Sequence, residues 1–423
     1  MAEAAGRAAG IMSQVKLQAP AGEMLRLLEE LAAFSAPGPG VTRLLYTPEW
    51  SGAQHFLQEK MLGAGLETRT DAVGNVFGRL SGTGGHDKVI LTGSHIDTVV
   101  HGGKYDGAYG VAAAVTALGY LRDTFGPPRR TLEAVSFCEE EGSRFPVTFW
   151  GSGHVTGLYS GGGAADCTDL EGITLREAMA ACGYPASGAA ALRGDIGAYV
   201  ELHIEQGLVL EQAALQIGVV QAIAGQRRYT ARIGGAAGHA GTTPMGLRRD
   251  ALAGAAEMLL WLERAAQDAG DPLVATAGRL EAYPGTPNVI PGEVHFTLDI
   301  RHSEAGILEG FCRAAADAFA AVARRRGLTL ALEETLATAP APMDPELAGR
   351  LERLCVEQGL THRRMVSGAG HDAQLFAPRC PAAMIFVPSR GGISHAPEEY
   401  SSPEELAAGL NLLTALLYEL AYL

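Results

Sequence analysis

Apolar runs that end in clusters of His, Asp, Glu and Gly recur along the first half of the chain. Residues 88–92 (KVILT), 131–137 (TLEAVSF) and 199–203 (YVELH) have the length and character of buried strands. They run into GSHID (93–97), EEEG (139–142) and HIEQG (203–207). Residues 111–121 (VAAAVTALGYL) predict an apolar helix between the first two runs. Upstream, Leu25, Leu27, Leu28 and Leu31 recur at helical spacing within 22–34, and a second helix is expected over 51–64. Residues 75–80 predict a strand, closed by the turn SGTGG at 81–85. Strands alternating with helices predict an α/β fold, whose sites gather at the carboxyl ends of the strands.

The pattern changes after Glu211. Strands are expected over 228–233, 273–280, 293–300 and 328–332, with long helices over 248–266 and 304–326. Such a set predicts a small α+β, ferredoxin-like layer pair. After Thr338 the α/β pattern resumes, with an apolar strand at 382–387. The expected organisation is one domain interrupted by another: 1–212, an inserted 213–330, then 331–423.

Composition narrows the function. Of 423 residues, 47% are hydrophobic and 19% charged, too apolar a balance for a disordered chain. Lys and Arg total 33 against 47 Asp and Glu, and the net charge of −14 argues against a general nucleic-acid binder. No apolar run is long enough for a membrane span, and the first residues lack the apolar core of a secretion signal. Those residues read as a loose tail, with Met12 a second candidate start. Cys138, Cys167, Cys182, Cys312, Cys355 and Cys380 lie far apart without CxxC spacing. They are expected to be reduced, mostly buried thiols of a cytoplasmic protein rather than zinc ligands.

The polar clusters suit metal chemistry. His95-x-Asp97 offers an imidazole with a carboxylate placed to fix its second ring nitrogen, and Asp106 follows. A strand cap followed by a turn fits the same residues. Glu139, Glu140 and Glu141 offer adjacent carboxylates, one to ligate and one to take a proton, or else a solvated acidic loop. His203, His239 and His395 are further candidates. Arg301, at a strand end, has the fork for a carboxylate or for a surface ion pair.

Taken together, GSHIDTVVHGGKYDGAYG, EEEGSRF, HIEQG, GHAGTTPM with RRDA, PNVIPG, DIRH, SGAGHDAQ and GGISHAPEE resemble the M20 metallopeptidase-related amidohydrolases. The branch is that of N-carbamoyl-L-amino-acid hydrolases, β-ureidopropionases and allantoate amidohydrolases. The motifs stand in family order over nearly the whole chain. The resemblance implies a di-metal catalytic domain with an inserted lid and dimerisation domain, hence a homodimer. It implies two divalent cations per subunit, Mn2+, Zn2+ or Co2+, bridged by Asp106 and completed by His95, Glu141, His203 and His395. Glu140 is then the general base, counting back from Gly142; the other register places the base at Glu139 and the ligand at Glu140. By the same resemblance His239 stabilises the oxyanion from a neighbouring subunit, and Arg301 grips a substrate carboxylate. Gln206, Asn288 and the backbone near Gly370 hold the rest of a small ureido acid.

TRLLYTPEW with SGAQ, GLETRTDAVGNVFGRLSG and SRFPVTFWGS look closer to bacterial allantoate amidohydrolases than to carbamoylases. The implied reaction is hydrolysis of a ureido C–N bond in allantoate to ureidoglycine, ammonia and carbon dioxide. The alternatives are an N-carbamoyl-L-amino-acid hydrolase and a non-catalytic binding protein of the same fold. SHAPEE, where many relatives carry SHNPAE, departs from the pattern but leaves His395 in place.

Overall fold

The computed structural model describes residues 17–159, 166–185 and 192–423. The tail expected at the start of the chain, with Met12, lies outside the described residues. By internal contacts the chain divides into a larger unit, Met1–Gln221, Met343–Met365 and His371–Leu423, and a smaller one, Ala222–Pro342 and Val366–Gly370.

The larger unit is organised on a sheet built in chain order from β1 (Glu67–Thr70), β2 (Val76–Leu80), β3 (Val89–His95), β4 (Leu132–Phe137), β5 (Ile196–Ile204) and β6 (Ile217–Ile223). The smaller unit supplies β7 (Gly225–Gly234), β8 (Gly238–His239), β9 (Val274–Tyr283), β10 (Val289–Ile290), β11 (Glu293–His302) and β12 (Thr329–Thr338). The short β13 (Ala341–Pro342) precedes β14 (His362–Ser367) and β15 (Ala382–Val387). Among the described residues the large sheet runs β1-β2-β4-β3-β5-β15-β6-β13, with β14 also on β6. Its centre is parallel: β3 pairs β4 and β5, and β5 pairs β15.

All of β3, β4 and β15 is buried, so these strands read as apolar runs without alternation. The helix Ala108–Phe125 packs on β3 and is buried on most of its circumference. The helix Pro48–Gly63 starts where Thr47 accepts the Trp50 N–H and Pro48 takes the first helical position. The last helix, Pro403–Tyr422, starts on a capping box of Ser402 and Glu405.

The smaller unit has the antiparallel sheet β12-β7-β11-β9. Along β11, Val294, Phe296, Leu298 and Ile300 are buried with Met258 and Leu262 of the helix Ala251–Ala269 and Phe319 of the helix Ala305–Arg326. Strand periodicity therefore turns Asp299 and Arg301 to the opposite face.

The units exchange at 221/222 and 342/343, later than the bounds at 212/213 and 330/331 read from the sequence. Two strands account for the shift: β6 (IGVVQAI) precedes the smaller unit, and β12 runs to Thr338 rather than ending near Leu332. The six cysteines are free, but only Cys138 and Cys355 are buried; the other four are half-buried. The expectation of mostly buried thiols is corrected accordingly.

Candidate metal centre

His95 ends β3, and β4 ends two residues before Glu139. His203 lies near the end of β5, and His395 follows β15. These are adjacent parallel strands, so their carboxyl ends bring together residues three hundred positions apart.

Asp106 is the common neighbour. Its Oδ1 lies 3.2 Å from His203 Nε2 and 3.6 Å from His95 Nε2, and its Oδ2 lies 3.2 Å from His395 Nε2. His395 Nε2 is also 3.4 Å from Glu141 Oε1. Two triads result, His95–Asp106–His203 and Asp106–Glu141–His395, each with ligand atoms within 4.8 Å of one another. Glu140 groups with His95 and Glu141. Glu139 does not share this direction: it is buried, and its Oε1 accepts the Gly142 N–H. Of the two registers, the geometry fits Glu140 and Glu141.

The donors are nitrogen and oxygen alone, which suits zinc, manganese or cobalt. The imidazoles of His95 and His203 are turned so that Nε2 could ligate a cation. His95 Nδ1 lies 3.1 Å from the Asp97 carbonyl and 3.2 Å from Asp97 Oδ1, and His203 Nδ1 lies 2.9 Å from the Ile204 carbonyl. Acceptors at Nδ1 hold the proton there and leave Nε2 facing Asp106. Gly107 permits this approach. It sits at φ +62°, and a Cβ on it would fall 2.5 Å from the His95 ring.

Charge is concentrated. Burial works against protonating His95, yet its hydrogen bonds with Asp106 and Asp97 prevail and raise its pKa well above the ordinary value. Asp106 and Glu141 hold His395 protonated up to about 10. Burial would raise Asp106, but His203, His395 and His95 together depress it well below the carboxylate range. Burial pushes Glu140 and Glu141 up. A cation held by these groups would have to displace their protons.

Several positioning contacts were not anticipated. Asp97 Oδ1 accepts the Glu140 N–H at 3.0 Å and Oδ2 the Glu141 N–H at 3.2 Å, so one carboxylate ties the acid loop to His95. The residue before that loop is gripped on both sides. Trp50 Nε1 donates to the Cys138 carbonyl at 2.7 Å, and Asn75 Oδ1 accepts the Cys138 N–H at 2.8 Å. Glu201, on the same face of β5 as His203, accepts from Ser94 Oγ at 2.7 Å and from the Ala373 N–H at 2.9 Å. His371 packs edge-on to His203 at 4.5 Å between ring centroids. Gln206 Nε2 donates to Asp106 Oδ2 at 2.9 Å. Gln206 and His395 both hold positive φ, at 58° and 55°, strain of the kind that collects at functional sites.

The remaining candidates belong to the smaller unit. His239 is in β8, paired with Val289 of β10, and the Asn288 carbonyl accepts the Ala240 N–H at 3.0 Å. His239 Nδ1 accepts the Gly241 N–H at 3.0 Å, which leaves the ring proton on Nε2 as a donor. Arg301 is locked in a fork with Asp299, at 2.8 Å from Nε and 2.9 Å from Nη2, and its Nη1 donates to the Gly368 carbonyl at 2.6 Å. One N–H on each terminal nitrogen stays outside these bonds. Arg228 and Gln226 hold the same Asp299 carboxylate. Gly370 closes the short segment, Val366–Gly370, that belongs with this unit.

Known proteins carry the same arrangement of sequence and fold. An allantoate amidohydrolase of Bacillus subtilis (strain 168) is 49% identical over 398 residues, 93% of this chain and 96% of its own length. An allantoate amidohydrolase of Escherichia coli (strain K12) is 46% identical over 394 residues, with 93% and 96% covered. The crystal structure of an amidase of the hydantoinase/carbamoylase family from Burkholderia multivorans superposes with a TM-score of 0.91 at 35% identity, over 96% of this chain and 98% of that one. The model of Peptidase family M20/M25/M40 matches residues 91–419. With the motifs, the sheet order and these likenesses in agreement, the chain belongs to the Peptidase M20 family.

Proposed function

We propose that this chain hydrolyses a ureido C–N bond of allantoate, releasing ureidoglycine, ammonia and carbon dioxide. The observation that carries the reading is Asp106, one carboxylate facing the histidines of two triads, in a chain alike over nearly its full length to allantoate amidohydrolases. M20 enzymes are typically di-metal dependent, and the donor set fits that chemistry. We assign His95, Asp106 and His203 to one cation and Asp106, Glu141 and His395 to the other, with Mn2+ or Zn2+ favoured over Co2+. When bound, such a pair acidifies a shared water and polarises the carbonyl.

The chain's own residues do the rest. Glu140 takes the proton of the attacking water and returns it to the leaving nitrogen. His239, contributed by the neighbouring subunit of the dimer, donates its Nε2–H to the developing oxyanion. The outward N–H groups of Arg301 donate two parallel hydrogen bonds to the substrate carboxylate. Gln206, Asn288 and the backbone at Gly370 hold the remaining polar groups. The smaller unit serves as lid and dimer contact, so the working protein is a homodimer. We place it in the cytoplasm on its six free thiols; no described helix is long and apolar enough to cross a membrane.

Ammonia release from allantoate and from N-carbamoyl-L-methionine, by Mn2+-loaded protein, tests the proposal. Turnover of the carbamoyl amino acid alone replaces it with the second reading, an L-carbamoylase, which the hydantoinase/carbamoylase-family structure favours.

A further inference from the structure

Glu399 belongs to the loop after β15 and is almost fully buried, at 5% exposure. Its Oε1 accepts two backbone N–H groups, those of Tyr105 at 2.9 Å and of Asp106 itself at 3.1 Å. Its Oε2 accepts the Ser394 hydroxyl at 2.9 Å. Ser394 Oγ lies 3.2 Å from Asp106 Oδ2, the oxygen that faces His395, and Ser394 directly precedes His395. One carboxylate therefore holds the backbone of the shared ligand and fixes the Ser394 hydroxyl that packs beside its outer oxygen. Gly103 leaves room for it. A Cβ at 103 would fall 2.1 Å from Glu399 Oε1.

A bridging carboxylate works only if its two oxygens stay divided between two cations. Asp106 belongs to no strand and lies at the far end of the loop between β3 and the helix Ala108–Phe125, so the sheet does not fix it. We propose that Glu399 is a positioning residue that holds Asp106 with one oxygen toward each cation, joining the loop after β3 to the loop that carries His395. This rests on the two-cation reading above. The prediction is specific about hydrogen bonding. In Glu399→Gln the amide oxygen still accepts both N–H groups, while the amide nitrogen donates to Ser394, whose hydroxyl then turns to Asp106. Glu399→Ala removes the tie, and Gly103→Ala keeps the carboxylate but displaces it.

The test loads wild type and the three variants with Mn2+ and records both calorimetric binding and the electron paramagnetic resonance of the bound ions. Wild type and Glu399→Gln are expected to show a spin-coupled manganese pair. Glu399→Ala and Gly103→Ala are expected to lose the coupling and to bind the second ion about 10–100-fold more weakly, as loss of an outer-sphere partner does. Wild-type coupling and affinity in both of the latter overturn the proposal. So does an equal loss in Glu399→Gln, since charge and not hydrogen bonding would then be the agent. If Glu399→Ala does not fold, Gly103→Ala decides. A wild type that binds no coupled pair defeats the two-cation reading itself, and this inference with it, which separates the two failures.

Discussion

Asp97→Asn is the most informative single change, because it keeps shape and removes one acceptor. The wild-type carboxylate serves His95 Nδ1 and the Glu140 N–H through Oδ1, and the Glu141 N–H through Oδ2. An asparagine can place its carbonyl at the Oδ1 position and keep the first two. Its NH2 then meets the Glu141 N–H, donor against donor. One hydrogen bond to a charged acceptor is lost, about 1.5–3 kcal/mol, at a side chain only 1% exposed. The remaining acceptor is neutral, so it holds the His95 Nδ1 proton less firmly and leaves Nε2 a poorer ligand. Outer-sphere changes of this kind weaken metal binding about 10–100-fold, or about 1.4–2.7 kcal/mol. Denaturant unfolding of chelator-treated protein reads the first quantity, and Mn2+ titration calorimetry reads the second. Both should fall, and Asp97→Ala, which strands the Glu140 and Glu141 N–H groups and leaves His95 Nδ1 only the main-chain carbonyl, should fall further. If Asp97→Asn matches wild type in both measurements, the claim that Asp97 couples the acid loop to the first histidine is wrong.

Glu140→Gln should keep both cations yet lose about 10²–10⁴-fold in turnover, measured as kcat for ammonia release; near-normal turnover would move the base to Glu139. Arg301→Lys should raise KM about tenfold or more, because lysine loses one of two parallel charged bonds, and unchanged steady-state kinetics would remove Arg301 from substrate binding. The cation-free protein should lose thermal stability as pH rises from 7 to 10. His395 has its pKa raised from 6.5 to about 10 by Asp106 and Glu141, so its contribution is complete below 6.5 and vanishes through 10. A melting temperature that climbs over that range in the presence of chelator would contradict the assignment of its partners.

The positions of His95 and His203 are readable in the sequence because each stands near the end of an apolar run, and burial of both strand faces makes such runs conspicuous. The acid loop is readable only as far as its composition. Which of three carboxylates turns inward depends on Gly142 donating to Glu139, a backbone detail invisible to spacing. Trp50, Asn75, Glu201 and Glu399 leave no local trace. Each acts on a residue at least 63 positions away, and a polar residue in a loop looks the same whether water or a buried N–H is its partner. The strand β6 escaped because IGVVQAI is a short apolar run, in which periodicity cannot separate strand from helix.

β15 enters the sheet between β5 and β6, both laid down long before it in the chain. During synthesis an unfinished polypeptide already carries His95, Asp106 and His203 but lacks His395. Such an intermediate holds the triad His95–Asp106–His203 and lacks one member of the triad Asp106–Glu141–His395. On the two-cation reading, the path of the backbone would therefore leave the second triad incomplete until the segment after β15 has been made.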